Sequence, residues 1–297
     1  RRGASAVRTA GSPSEVRGAV RILLTGAGGQ LGRQLLLQGG DHAITAHLRG
    51  ELDIADLDAV RAAVRAARPD LVLNAAAFND VDGAETHPDA AFAGNALGPR
   101  NLALAAAEAG AAVLHVSTDY VFDGAKGAPY HEFDRPAPLS AYGRSKLAGE
   151  VAVREMNPRH YVVRTSWVYE AQGKNFPKTL RALAAKQREL RIVSDVKGSP
   201  TSAVHLAAAI LRLIDSGAFG TYHLAGGGEG ASWYDLAVVF FRALGLDTRL
   251  VPVPASEFPR PAPRPAYSVL RTIQSPRIVL PPWQEGVAAF ARELQAL

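Results

Sequence analysis

Val20-Arg-Ile-Leu-Leu-Thr25 runs straight into Gly26-Ala-Gly-Gly-Gln-Leu-Gly32. A short apolar run, a glycine-rich turn and a leucine-rich stretch that stops at Gly39-Gly40 read as strand, turn and helix. Gly26, Gly29 and Gly32 are spaced GxxGxxG. Glycines so placed let the backbone turn tightly and approach a pyrophosphate, while the helix amides and dipole meet the anion. A plain glycine turn is the alternative; the position between a strand and a helix favours dinucleotide binding. Gly26, Gly29, Gln30, Leu31 and Gly32 are therefore candidate cofactor residues.

The same alternation continues outward. A second strand is expected at 43–48, and a dinucleotide fold reads the adenosine ribose at the end of that strand. An acid there selects NAD; here His47, Leu48, Arg49 and Gly50 follow, and Arg49 is suited to a 2′-phosphate. Asp53 is either an adenine contact or a cap on a helix at 57–67. A third buried strand at 71–74 leads into Ala75, Ala76 and Ala77, whose small side chains let a cofactor lie close. Helix follows to about residue 109. Within it Asn95 is either a satisfied core residue or a brace for the Lys146 region. A fourth strand at 112–117 ends at Thr118, and ligands of open α/β sheets gather at such carboxyl ends. The stretch 124–138, with Pro129, Pro136 and Pro138, reads as a loop over the site.

Pro138 and Ser140 then signal a helix start, and good helix formers run to Glu155. Tyr142 and Lys146 stand four apart in it, so they share a helical face. An adjacent ammonium favours the charged form of a phenol, which makes Tyr142 a candidate proton donor. A lone YxxxK is usually a surface Tyr beside a surface Lys; the surrounding strands and glycine turn give it its interest.

The back half is less regular. A fifth strand is expected at 161–165, with Arg164 and Trp167 at its end, and an exposed indole suits the apolar face of a sugar. Lys174 and Asn175 precede a helix and are candidate diphosphate contacts or part of a solvated loop. Further strands are read at 190–193 and 220–224, and helices at 202–214, 233–244 and from 283 to the end, with Trp233 packing at a helix start. The proline-rich stretch 250–267 reads as a stiff wrapped loop.

Composition bounds the function. The 297 residues carry a net charge of +5 with no basic block, which suits anionic ligands and gives no nucleic-acid footprint. Without cysteine there is no disulfide, thiol nucleophile or cysteine metal site. No apolar run is long enough for a membrane span. Residues 1–18 lack the apolar centre of a signal peptide and are expected to form a disordered extension. The default location is cytoplasmic. The fold expected is α/β: a Rossmann-like doubly wound parallel sheet with a smaller mixed substrate-binding lobe. The NAD(P)-binding part is placed at 19–160 plus roughly 203–225, and the lobe mainly at 161–202 and 226–297.

Asn74-Ala-Ala-Ala77, Asn95-Ala-Leu-Gly98, Ser117-Thr-Asp-Tyr-Val-Phe-Asp-Gly124, Tyr142-Gly-Arg-Ser-Lys146, Arg164-Thr-Ser-Trp-Val-Tyr169 and Arg264-Pro-Ala-Tyr-Ser268 follow the glycine turn in order. Together with Leu52-Asp-Ile54, Gly173-Lys-Asn-Phe176 and Gly198-Ser-Pro-Thr201, this series resembles the extended short-chain dehydrogenase/reductase superfamily. More narrowly it resembles the dTDP-4-dehydrorhamnose reductase family, from about residue 20 to near 297. The resemblance implies a Thr118–Tyr142–Lys146 catalytic triad and reduced NADPH or NADH. It implies a dTDP-4-keto-6-deoxy sugar as substrate, reduced at C4 to dTDP-L-rhamnose. It adds Ile54, Asn95, Tyr142 and Lys146 to the cofactor residues. For the substrate it implies Asn79, Val81, Thr118, Asp119, Tyr120, Tyr142, Trp167 and Asn175. One departure stands out: a Thr that the family sets against the substrate is Asn79 here, in Asn79-Asp-Val-Asp82. Some members dimerise around Mg²⁺ held by glutamates, so a homodimer is a candidate assembly. No acidic pattern for the ion is found, and no metal is assigned. Two rival readings are a non-catalytic NADP-binding regulator of the methionine adenosyltransferase β type and a nucleotide-sugar epimerase or dehydratase. The intact triad speaks against the first. Against a dehydratase, Asp119 is followed by Tyr120 and not by a second acid.

Overall fold

The structure is a computed structural model that describes residues 19–296. The 1–18 extension lies outside the described residues. Five strands, β1 (Arg21–Thr25), β2 (Ala43–His47), β3 (Leu71–Asn74), β4 (Ala112–Thr118) and β5 (His160–Thr165), join the strand Gly220–His223 in one sheet. Every pairing in it is parallel, and the order across it is Gly220–His223, β5, β4, β3, β1, β2.

The strands read as continuous apolar runs because both faces are covered. Alternate side chains leave a strand on opposite faces. Leu23, Val72, Val113 and Val162 meet Val60 and Val64 of the helix α2 (Leu57–Ala67) on one face. Ile22, Leu24, Leu73 and Leu114 meet Leu35, and Leu206 and Ile210 of the helix Ala203–Ser216, on the other. Leu35 belongs to the helix α1 (Gln30–Gln38). The doubly wound sheet is thus as expected. The chain winds one way from β1 to β2 and the other way through β3, β4 and β5, so the order reverses beside β1. A crevice opens at such a reversal, at the carboxyl ends of the strands.

β5 is an inner strand of this sheet, although its residues fall in the range expected for the lobe. A second core lies beyond it. Tyr169, Leu180, Leu190, Ile192, Phe240, Phe241 and Phe290 pack among the helices Phe176–Ala184, Trp233–Leu244 and Trp283–Ala296. The proline-rich stretch departs from expectation at its start. Arg249–Val253 is a strand, parallel to Glu189–Val193, with Pro252 opposite Ile192. A proline fits because this sheet has two strands only, so one edge of each needs no amide donor.

Two further differences bear on the site. The helix expected up to residue 109 is broken, and Ala93–Leu97 is a π-helical turn before the helix Gly98–Glu108. The loop 124–138 is anchored at its middle: Tyr130 stacks on Phe122 at 4.2 Å, and buried Glu132 accepts from the His223 amide, Thr272 Oγ1 and the Ile273 amide.

Candidate active site

β4 ends in Thr118, whose Oγ1 accepts from the Tyr120 amide at 3.2 Å and so caps the short 3₁₀ turn Asp119–Val121. Over this turn lies the helix Ala141–Met156, started by Ser140, whose Oγ accepts from the Gly143 amide at 3.1 Å. The two backbones touch because residue 143 is glycine: a Cβ there would stand 2.3 Å from the Tyr120 carbonyl oxygen. That approach sets the Tyr142 phenol near enough to the Thr118 hydroxyl for the hydroxyl to lower the phenol's pKa. One turn on, Lys146 Nζ donates to the Val116 carbonyl of β4 at 2.7 Å. Thr118, Tyr142 and Lys146 are thus gathered at one strand end, all buried.

Gly149 repeats the device on the other side of the helix, where a Cβ would stand 2.1 Å from the Asn95 carbonyl oxygen. Asn95 itself is fully buried. Its Oδ1 accepts from the Phe78 amide, and its Nδ2 donates to the Phe78 carbonyl and to Ser145 Oγ. Ser145 Oγ donates in turn to the Tyr142 carbonyl. With every side-chain group engaged by protein, Asn95 is a brace for the Tyr142–Lys146 helix and its side chain is not a direct cofactor contact.

The electrostatics differ from the sequence expectation in one respect. Burial pushes the Tyr142 phenol up, Asp119 and Tyr120 push it further, and the Thr118 hydrogen bond pulls it down. Lys146 directs its ammonium at Val116 instead, and burial lowers its pKa to about 8 against the opposing pull of Glu150. Glu150 is buried but held charged. Arg164 donates to both its oxygens at 2.8 and 2.7 Å, Ser117 Oγ donates at 2.6 Å, and Arg154 reaches it at 3.2 Å.

The glycine turn has the shape of a cradle. Gly26 takes φ +75°, and a Cβ on it would meet the backbone of Ala75 and Ala76 at 2.5 Å. A Cβ on Gly32 would meet the Gly26 carbonyl oxygen at 2.3 Å, and one on Gly29 would approach it to 3.2 Å. β1 and β3 therefore deliver the glycine loop and Ala75–Ala76 to one place. Among the described residues no side chain caps α1 at its Gly29 end, which suits the first-turn amides to an anion. Leu31 is packed in the core, and Ile54 is buried against Gly98, so both act there by packing. Asp56, not Asp53, caps α2, accepting from the Asp58 and Ala59 amides. Asp53 is exposed and among the described residues accepts only from the Ala55 amide, so the capping alternative for it falls. Arg49 is exposed just past the end of β2. These residues fit the adenosine side of a dinucleotide, and the glycine cradle fits its pyrophosphate.

The substrate candidates separate into two sets. Val81 and Tyr120 pack with Phe78 and Tyr142, and the Tyr120 ring stands edge-on to Tyr142 at 5.6 Å. Asn79 is exposed close by. By contrast, Asp119 and Asn175 are engaged by protein. Asp119 is 1% exposed and accepts from Thr118, Ser166 and Ser268 hydroxyls, so it does not reach a substrate. Asn175 caps the helix Phe176–Ala184 through Oδ1, and its Nδ2 donates to Gln30 Oε1 and the Glu170 carbonyl. It ties the back lobe to the start of α1. Trp167 is not a free-standing platform: at φ +47° it stacks on Trp233 at 3.4 Å, so one face of the indole is covered. A Cβ on Gly198 would press on its ring at 2.6 Å.

Sequence reasoning left Arg264 either structural or anion-facing, and it missed the pairings that close this arrangement. Arg264 donates to both Asp82 oxygens at 3.0 Å and also engages Tyr120, so the proline-rich segment is pinned beside the Tyr120–Tyr142 pair. Arg264, Ser166 and Ser268 all lie within the motifs quoted above; their pairing with residues up to 182 positions away carries no local signal.

A parallel sheet with a glycine cradle at its switch point, and a Thr–Tyr pair with Lys one turn on, defines a Rossmann-like oxidoreductase of the extended short-chain type. The family model described as RmlD substrate binding domain matches residues 20–296, and the chain belongs to that family. A dTDP-4-dehydrorhamnose reductase of Mycolicibacterium smegmatis is 44% identical over 278 residues, spanning 91% of this chain and 84% of the relative. A solved dTDP-4-dehydrorhamnose reductase of Clostridium acetobutylicum superposes with a TM-score of 0.89 at 43% identity, covering 92% of this chain and 99% of that one. One of Bacillus anthracis, solved in complex with NADP, superposes with a TM-score of 0.89 at 37% identity, covering 93% and 99%.

Proposed function

We propose that the chain reduces the C4 ketone of dTDP-4-dehydro-6-deoxy-L-mannose, giving dTDP-L-rhamnose, with NADPH or NADH. The observation that carries this reading is the buried Thr118–Tyr142 pair, held at a strand end beside the cradle in a chain of this family. The relatives' names supply the substrate class, and the NADP complex of the Bacillus anthracis protein supports the cofactor.

A bound reduced nicotinamide supplies a hydride to the carbonyl carbon. Tyr142 donates a proton to the carbonyl oxygen, and Thr118 donates a hydrogen bond to it; donors fixed where charge develops stabilise the transition state. Lys146 would hold the cofactor ribose, and the Thr118 hydroxyl favours the charged phenol that remains. Gly26, Gly29, Gln30 and Gly32 hold the pyrophosphate, Ala75–Ala77 flank it, and Asp53 and Arg49 meet the adenosine end. Asn79, Val81, Tyr120 and Trp167 face the sugar nucleotide. In this reading the cofactor part comprises 19–165 with 203–225, the boundary falling after β5, and the remainder forms the substrate lobe. The proposed setting is the cytoplasm, with no nucleic-acid partner, and a homodimer is the assembly to be sought. Among the described residues no helix is long and apolar enough to cross a membrane.

Mixing the protein with NADPH and the 4-keto sugar nucleotide should consume NADPH and yield the rhamnose nucleotide. Tyr142→Phe should lower turnover by about 10²- to 10⁴-fold, the usual contribution of a general acid, while NADPH still binds. An unchanged rate in that variant would refute the role given to Tyr142.

A further inference from the structure

Asp119 stands behind the Thr118–Tyr142 pair, and the mechanism above does not use it. Its two oxygens are not equivalent. Oδ2 accepts from Ser166 Oγ at 3.1 Å and Ser268 Oγ at 2.5 Å, while Oδ1 accepts from the Thr118 hydroxyl at 3.1 Å. A threonine hydroxyl has one proton and two lone pairs. One lone pair of Thr118 already accepts from the Tyr120 amide.

We propose that Asp119 is a positioning residue that sets which way the Thr118 hydroxyl points, and so whether a carbonyl oxygen meets two donors or none. With Asp119 charged, Thr118 gives its only proton to Oδ1. Its remaining lone pair then receives the Tyr142 proton, and both donors face away from a substrate. An added proton belongs on Oδ1, because Oδ2 is filled by the two serines. The carboxyl then donates to Thr118, whose own proton turns outward, and Tyr142 is released toward the substrate oxygen. The inference rests on the reductase reading.

The surroundings allow this exchange near neutral pH. Burial raises the Asp119 pKa to about 6 against the pull of its three hydroxyl donors. The elements around it bring neutral groups: Thr118 from β4, Ser166 after β5, Ser268 from the C-terminal segment and the Tyr142 phenol from its helix. Tyr120, pushed up to about 12, stays neutral, and the cation behind it, Arg264, is bound to Asp82.

The test is the pH dependence of kcat/KM for ketone reduction. In the wild type it should fall about tenfold, the value of one hydrogen bond, as pH rises through 6. Asp119→Asn, whose amide donates permanently to Thr118, should be flat across that midpoint. Ser268→Ala removes a donor to Oδ2 and should move the midpoint upward. In the protein without substrate, infrared spectra should show a buried carboxylic acid band growing as pH falls through 6, absent from Asp119→Asn. A flat wild-type profile, an unmoved midpoint in either variant, or a band that survives Asp119→Asn would overturn the proposal. Absence of NADPH consumption at every pH would instead fail the reductase reading, and the infrared titration would still decide the state of Asp119.

Discussion

Two carboxylates are buried within a few residues of the Thr118–Tyr142–Lys146 cluster, and their surroundings drive them in opposite directions. Glu150, in the middle of the Tyr142 helix, is held by Arg164 through two hydrogen bonds, by Arg154 and by Ser117. Its pKa lies below the ordinary value despite complete burial. Asp119, at the end of β4, is held by three hydroxyls, and among the described residues no ion pair reaches it; its pKa rises to about 6. Hydroxyls satisfy the lone pairs of a carboxylate but do not balance its charge, and desolvation then decides the outcome. One site is a fixed ion pair that supports the sheet. The other can change protonation beside the reacting groups.

The comparison breaks most clearly by removing one charge from each site. Glu150→Gln leaves Arg164 buried without a counterion, and breaking such a pair costs about 3–5 kcal/mol. Denaturant unfolding should show that loss, and a loss below about 1 kcal/mol would mean the Arg164 site is far more hydrated than the structure indicates. Asp119→Asn leaves no orphaned cation and should alter stability much less. The pH dependence should separate them further. Glu150, with a lowered folded pKa, contributes stability that is present above its ordinary 4.5 and is lost as pH falls. Asp119, with a raised one, contributes stability that is full below its ordinary 3.8 and is lost as pH rises toward about 6. Between about pH 4 and 6 the wild type should therefore lose stability relative to Asp119→Asn as pH rises. Parallel unfolding curves for the two proteins across that window would mean that Asp119 is charged throughout.

The same contrast explains what could be read from the chain. β1 with its glycine turn, α2 and the Ser140-capped helix were legible because strand runs, glycine spacing and caps are local signals. Spacing put Tyr142 and Lys146 on one helical face and Thr118 at a strand end, but their grouping as a triad was legible only through the family resemblance. Asp119 was expected at the substrate, and only its partners 47 and 149 positions away place it behind Thr118. Trp167 was expected as an open platform; its stack on Trp233 joins two segments that meet only in the folded lobe. Pro252 concealed a strand because a proline is tolerated where a two-stranded sheet leaves an edge open. The π turn at Ala93–Leu97 has no sequence signature beyond Gly94 and Gly98, and it seats Asn95 against the Tyr142 helix.

Arg49 sets the opposite limit, a charge that burial does not touch. It is exposed just beyond β2, and among the described residues no carboxylate holds it. An exposed, flexible guanidinium costs little to leave alone, so its removal should leave stability unaltered. What it can do is meet a 2′-phosphate, a contact that exists with NADPH and not with NADH. One charge-assisted hydrogen bond to a solvated phosphate is worth about tenfold in affinity. Arg49→Ala should raise the KM for NADPH by roughly that factor and leave the KM for NADH nearly unaltered, with kcat retained for both. Equal changes for the two cofactors would remove the case for NADPH preference while leaving the glycine cradle and the Thr118–Tyr142 pair as they stand, because neither depends on which adenosine ribose is bound.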